Sequence, residues 1–377
     1  MNTPYSLYIG LMSGTSLDGV DAVLAKVDAD GKTHIQGSVS APFNLALRQE
    51  LLDLQTPGHN EIHRENQAAN ALALIYADTV NQLLHQTQVN PDQITAIGAH
   101  GQTIRHQADL PNHQSYSHQT LNPALLAEMT RIDVIADFRS RDIAAGGHGA
   151  PLVPAFHVQQ FHSANEERAV LNIGGIANLT LLPAIGEIKG FDCGPGNILL
   201  DAWIQKNIGE LFDENGSWAL KGSANPELLK QMLLDPFFQK PPPKSTGRDH
   251  FHLPWIIHHV NHQPLSAEDI QATLLNLTAQ SVLTALFQYA PSTQKLIVCG
   301  GGAKNSALMD LLKNLSNLYF KNRLSVNTSI MYGVDPQLVE SLAFAWLAWA
   351  HKTKRSANLP TVTGANGYKI LGACYPA

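Results

Sequence analysis

Asp192 closes an apolar run beginning at Ile188 and is followed almost at once by Gly194-Pro195-Gly196-Asn197. A carboxylate at a strand end, with the backbone turning away behind it, can act as a general base toward water or a hydroxyl. The same position suits a helix N-cap or a turn aspartate, and on position alone both readings stay open. Three glycine-rich segments also end strands: Gly14-Thr15-Ser16 with Asp18-Gly19, Asn172-Ile173-Gly174-Gly175, and Gly300-Gly301-Gly302. Without Cβ atoms, such turns let backbone N–H groups converge on an anion, a phosphate cradle with no Walker lysine. Any one of them equally suits a tight turn; together they favour a nucleotide held in a cleft between lobes. Asp137-Phe138-Arg139, Asp142 and the run from Gly146 to Pro151 gather charge and pliant backbone behind a buried strand, as a site or as a salt-bridge knot.

Other signatures fall away. Gly31-Lys32-Thr33 resembles the end of a P-loop, but Lys26 stands where its first glycine belongs, and the segment joins two strands. His59 and His63 have helical spacing without the glutamate of a zinc protease. His250, His252, His258, His259 and His262 are scattered in a His-rich chain and read as solvated or structural rather than as a metal site. With 31 acidic and 25 basic residues the net charge is -6, so no basic field exists for nucleic acid or an anionic membrane. Three widely spaced cysteines fit a reducing compartment. Met1 to Leu11 carries neither Lys nor Arg nor an apolar run of signal-peptide length, so a cytoplasmic protein is expected.

The elements that must position these residues follow from periodicity. Tyr5 to Leu11, Val20 to Val27 and Thr33 to Val39 read as an antiparallel meander, followed by helices near 46–54 and 65–86 and a buried strand from Ile94 to Ala99. After an aperiodic stretch, Ala108 to Thr120, a helix near 123–130 marks the expected first boundary. Strands at 132–136, 169–173, 177–182 and 188–192 lead to a helix at 198–208. Pro241 to Gly247 reads as an irregular loop, and Ser266 with Asp269 caps a long helix to about Tyr289. A strand at 296–299 runs into the triple glycine, a helix starts near Asn305, and a last apolar helix spans 336–350. The pattern predicts an α/β protein of two lobes, 1–125 (completed by about 355–377) and 126–354, with no repeat visible in the sequence.

Taken as an ordered set, the motifs resemble the anhydro-N-acetylmuramic acid kinase family of the sugar-kinase, actin and heat-shock chaperone superfamily. The matching stretches are Gly10 to Asp21, Gly98 to Thr103, Ala136 to Arg139 through Gly149 to Pro154, Asn172 to Asn178, Phe191 to Asn197, and Cys299 to Asn305. The resemblance implies a two-lobed actin-like ATPase (ribonuclease H-like) fold with a mixed five-stranded sheet and helices in each lobe, closing over ATP and sugar. It implies that water opens a 1,6-anhydro sugar as its 6-oxygen takes the γ-phosphoryl of ATP, giving N-acetylmuramic acid 6-phosphate in peptidoglycan recycling. On this chain, Asp192 matches the catalytic base, and Gly14, Thr15, Ser16, Leu17, Asp18, Gly19, Val20 and Asp21 match the ATP-binding segment. Gly174, Gly175, Gly300, Gly301 and Gly302 are expected against the nucleotide, Asp18 near Mg²⁺-bound water, and His100, Gln102, Asp137, Arg139 and Asn197 around the sugar. Arg139 is expected to pair with the lactyl carboxylate. The resemblance also suggests a homodimer.

One departure stands out: Gln119-Thr120-Leu121-Asn122 replaces the Gln-Ile-Gly-Asp usual before Pro123, which puts one wall of the sugar site in question. The alternatives are a kinase for an ordinary hexose or amino sugar and a catalytically silent ATP-binding module.

Overall fold

Tyr8 to Leu11 are buried at every position, the burial of a strand covered on both faces. In the computed structural model, which describes residues 5–377 apart from Thr15, Asp109, Asn112 and residues 261–263, this run is the centre of a sheet. Strands β1 (Tyr5–Met12), β2 (Gly19–Asp28) and β3 (Thr33–Pro42) form the expected antiparallel meander. Helices α1 (Leu45–Asp53) and α2 (Glu61–Thr87) follow, and α2 buries Ala69, Leu72, Ala73, Tyr76, Val80 and Leu83 at helical spacing. β4 (Ile94–Ala99) lies parallel to β1. β5 (Gln102–Gln107) and β6 (Tyr116–Thr120) make a hairpin of their own, and β6 falls within the stretch expected to be irregular. After α3 (Pro123–Thr130), β7 (Val134–Ala136) joins β4 in parallel, and α4 (Ser140–Ile143) and α5 (Val153–Phe161) complete this part.

The second unit repeats the plan. β8 (Arg168–Ile173), β9 (Ile176–Leu182) and β10 (Lys189–Pro195) are an antiparallel meander. α6 (Ile198–Ile208), α7 (Pro226–Leu233), α8 (Pro236–Gln239), α9 (Leu253–Val260) and α10 (Ala267–Tyr289) follow. The Ser266 hydroxyl caps α10 by accepting from the Asp269 N–H at 3.1 Å. β11 (Lys295–Cys299) is parallel to β8; beyond α11 (Ser306–Phe320), β12 (Ser325–Thr328) is parallel to β11. α10 has the length and apolar composition of a membrane-crossing helix, yet 78% of that stretch is buried in this unit.

The chain then returns to the first unit through α12 (Val339–Lys352), α13 (Pro360–Thr363) and β13 (Ala373–Tyr375). The strand orders are β3-β2-β1-β4-β7 and β10-β9-β8-β11-β12, with the same pattern of antiparallel and parallel neighbours. This is the ribonuclease H-like plan twice, a duplication of structure without a visible repeat in sequence.

Two expectations need correction. The units are 1–160 with 338–377, and 161–337, rather than dividing near 125 and 355. β7 pairs with β4 and so draws residues past 125 into the first sheet, and α12 packs on β1 and β4, so the return begins earlier. The first sheet also has six strands rather than five, because β13 pairs antiparallel with β7.

Gly10 and Gly98 face each other across β1 and β4, and α12 lies directly on them. A Cβ on Gly10 would run into the Ser341 carbonyl, and one on Gly98 into the Phe344 carbonyl. Overpacking there must push a helix off its sheet. Gly98→Val is therefore expected to cost about 3 kcal/mol in urea unfolding. Gly175→Ala, whose Cβ would meet nothing nearer than 3.8 Å, should change stability by less than about 0.5 kcal/mol. Equal losses in the two variants would refute the close-packing account.

Candidate active site

In the second unit three turns meet around Asn197. The β8–β9 turn, Gly174-Gly175, accepts backbone hydrogen bonds from Gly196 (2.8 Å), Asn197 (2.9 Å) and Ile198 (3.1 Å) at the start of α6. Thr278 of α10 donates its hydroxyl to the Gly196 carbonyl at 2.9 Å, so a buried core helix fixes the same turn. The triple glycine after β11 packs against this assembly. Gly300 has φ +81°, and a Cβ there would crowd the Asn172 side chain and the Ile173 carbonyl. Gly174, Gly175 and Gly301 differ, since a Cβ on each would meet nothing closer than 3.7 Å.

Asp192 lies on β10 opposite Asn178, beside a break in register before Gly194. Its backbone N–H donates to the Lys244 carbonyl (3.1 Å), and its Oδ2 accepts from the Thr246 N–H (3.0 Å). Burial raises its pKa to about 6, opposed by the Thr246 hydrogen bond and by the Lys244 charge. A carboxyl titrating there is ionised at neutral pH yet basic enough to take a proton. Asp201, one turn into α6, is raised further, to about 7, by burial against the partial relief of Arg248.

In the first unit a polar cluster holds the Gly14 turn. The Ser13 hydroxyl is 2.7 Å from the Tyr76 hydroxyl and donates to the Gly101 carbonyl (3.1 Å). Gln102, fully buried, donates to the Gly14 carbonyl at 3.1 Å. His100 and Arg139 are 2.8 Å apart through Nε2 and Nη2. Arginine only donates, so the imidazole must accept there and stay neutral. Burial, with the Arg139 charge behind it, accordingly lowers the His100 pKa to about 3. Arg139 also donates to the Gly149 carbonyl at 2.7 Å. Asp142, fully buried, accepts from the Gly149 N–H (2.9 Å), Asn358 (2.8 Å) and Thr363 (2.8 Å).

The family model described as anhydro-N-acetylmuramic acid kinase matches residues 6–377. The chain belongs to the anhydro-N-acetylmuramic acid kinase family. Relatives bearing that description include one from Ralstonia nicotianae, 51% identical over 98% of this chain and 97% of its own length. One from Burkholderia orbicola is 48% identical over 98% and 96%, and one from Chromobacterium violaceum 48% over 98% and 99%. This chain is therefore an enzyme, a sugar kinase that uses ATP. An ordinary-hexose kinase and a silent binding module are set aside.

Against the family's motifs, the expected residues sort by what they touch. Gly14, Gly174, Gly175 and Gly301 are open where a side chain would stand, whereas Gly19, Gly300 and Gly302 are filled by their own chain. Leu17 and Val20 are core residues of the first unit. Asp21 accepts from Ser40 on β3 (2.5 Å), and exposed Asp18 accepts from the Ser16 hydroxyl (2.8 Å). Thr15 and His262 lie outside the described residues.

Among residues expected at the sugar, Gln102 donates to the Gly14 carbonyl, and Asn197 lies beside Gly301 and Gly302. Arg139 spends two of its five donors on Gly149 and His100, and its buried Nε has no hydrogen-bond partner. Asp137 is exposed, with φ +53°, and accepts from the Ser140 N–H at 3.3 Å. Asn122, in the departing stretch, caps α3 through the Leu125 N–H (3.0 Å). His250 and Asp235 are 3.0 Å apart and Trp255 donates to the same carboxylate (2.9 Å), a structural use of the histidine cluster.

Thr246, Lys244, Tyr76 and Thr278 were not singled out by sequence. For Lys244 and Thr246 the one signal was a Lys-Ser-Thr following three prolines; Tyr76 and Thr278 sit inside helices, where their residue type gave none.

Asp142 is the knot of the first unit's site. Asp142→Ala removes an acceptor from three donors, and an expected loss of about 3 kcal/mol follows. A thermal melt within experimental error of the parent would refute it.

Proposed function

We propose that Asp192 activates a water that opens the 1,6-anhydro bridge while the freed 6-oxygen takes the γ-phosphoryl of ATP. The observation that carries this reading is the Asp192 carboxyl, desolvated on a strand end and held by one backbone N–H, with a pKa of about 6. Water bonds to the anomeric carbon as its proton passes to Asp192. The bond from that carbon to O6 breaks, and O6 bonds to phosphorus as ADP leaves. The products are N-acetylmuramic acid 6-phosphate and ADP, and the proton departs from Asp192 to solvent. One bound carboxylate serves both events because bridge opening generates the phosphoryl acceptor in place.

ATP supplies the phosphoryl group. Within the second unit this chain offers it the N–H groups of the Gly174, Gly175 and Gly301 turns, whose open Cα faces permit close approach, and the Gly14 turn is assigned to ATP on the family resemblance alone. A bound Mg²⁺ would supply neutralisation of the phosphate charge. Asp18 is read, on the family resemblance, as the residue that would face metal-bound water. A cytoplasmic location fits three free cysteines among the described residues. The homodimer rests on the family resemblance alone.

Asp192→Asn should lower turnover by about 10³-fold or more with ATP affinity nearly unchanged. The acting form is the carboxylate, so kcat/KM should be full above pH 6 and fall below it as Asp192 protonates. For stability the sign is opposite. A raised pKa means the folded chain favours the protonated group, so Asp192 costs stability as pH rises through about 6. The variant should thus melt higher than the parent at pH 8. A fast Asp192→Asn enzyme would sink the assignment.

A further inference from the structure

Helix α10 buries Leu274, Leu275, Leu277 and Val282 in the core of the second unit, and the hydroxyls of Thr278 and Ser281 are buried with them. A hydroxyl in such surroundings costs stability unless it finds a partner. Its polar neighbours turn back onto their own helix. Thr273 donates to the Asp269 carbonyl (2.7 Å), Asn276 to the Ala272 carbonyl (2.9 Å) and Ser281 to the Thr278 carbonyl (3.0 Å). Thr278 instead reaches off the helix and donates to the Gly196 carbonyl at 2.9 Å.

Gly194-Pro195-Gly196 leads from Asp192, near the end of β10, to the start of α6. A Cβ on Gly194 would stand 3.1 Å from the Ser281 hydroxyl, so α10 lies flush along this linker. A Cβ on Gly196 would run into the Gly174 carbonyl. On that side the N–H groups of Gly196 and Asn197 donate to the Gly175 (2.8 Å) and Gly174 (2.9 Å) carbonyls. The Gly196 residue is therefore held by α10 at its carbonyl and itself holds the glycine turn through its N–H.

We propose that Thr278 is a positioning residue for the phosphate cradle: its hydroxyl, anchored in a core helix, fixes Gly196 and through it the Gly174-Gly175 turn that receives ATP. This rests on that turn being the nucleotide's seat. A turn set in advance spares the nucleotide an ordering cost on binding. Asp192 has its own restraints, its N–H donating to the Lys244 carbonyl (3.1 Å) and its Oδ2 accepting from the Thr246 N–H (3.0 Å). Loss of the Thr278 hydroxyl should therefore fall on ATP binding more than on turnover.

Two variants of the full chain separate the hydroxyl from packing. Thr278→Val keeps the shape and loses the donor, whereas Thr278→Ser keeps the donor and loses a buried methyl. Thr278→Val should raise the Kd for ATP, measured by calorimetry without sugar, and the KM for ATP about tenfold, with kcat within about twofold of the parent. Thr278→Ser should bind ATP as the parent does, although its lost methyl lowers the melting temperature. Should the valine variant fail to fold, Thr278→Ala compared with Thr278→Ser carries the same expectation. Unchanged ATP affinity in Thr278→Val, or losses of affinity that simply follow the melting temperatures, overturn the proposal. Gly175→Val, which fills the open face of the turn, separates the two readings. If it binds ATP as well as the parent, the cradle assignment fails; if it binds poorly while Thr278→Val binds normally, only the role of Thr278 fails.

Discussion

The structure turns on keeping a desolvated carboxylate charged. Moving a carboxyl out of water favours its neutral form, and a neutral acid cannot take a proton from water. Burial at the end of β10 raises Asp192 to about 6, and the Thr246 N–H and Lys244 stop the rise there. The rest of the second unit is arranged around that balance. The meander of β8, β9 and β10 brings Asp192 alongside Asn178, the register break before Gly194 turns the chain away, and α10 anchors the next turn through Thr278. A carboxylate in such surroundings lowers stability at neutral pH, a cost that functional sites commonly carry.

Charge poses the complementary problem. An acidic chain must receive a polyanionic nucleotide, so backbone dipoles have to supply what net charge does not. The glycines divide accordingly. Some let one element lie flush on another, as Gly10 and Gly98 do beneath α12; others, Gly14, Gly174, Gly175 and Gly301, leave backbone uncovered. The uncovered turns are held rigidly from behind. Tyr76 and Gln102 fix the Gly14 turn, and Gly196 and Asn197 fix the Gly174 turn. Such bracing lets a turn meet phosphate without first having to be ordered.

Much of this was legible in the chain because the period of burial was clear. The two meanders, α3, α6 and the Ser266 cap stand where apolar runs and turn residues put them, and Asp192 stood out as a carboxylate at a strand end. The short edge strands β12 and β13 carry too few residues to show a period, and β13 owes its existence to β7, far away in sequence. The boundary near 125 was misplaced for the same reason, since only the pairing of β7 with β4 reveals it. Within the site, the Thr246 contribution is a backbone N–H, which residue type cannot advertise. The two acceptors that Arg139 already serves, Gly149 and His100, come from separate segments of the chain, so no local pattern announces them. Leu17 and Val20 lay inside a binding motif yet are buried in the core, Val20 from β2 and Leu17 from the turn before it.

The central claim is that one water, activated at Asp192, opens the sugar before phosphoryl transfer is complete. A single turnover in ¹⁸O-water, quenched and read before the hemiacetal exchanges, tests it most directly. The account predicts one ¹⁸O at the anomeric hydroxyl and none in the transferred phosphoryl group. Label in the phosphate, or phosphorylated sugar with an unlabelled anomeric oxygen, would contradict it.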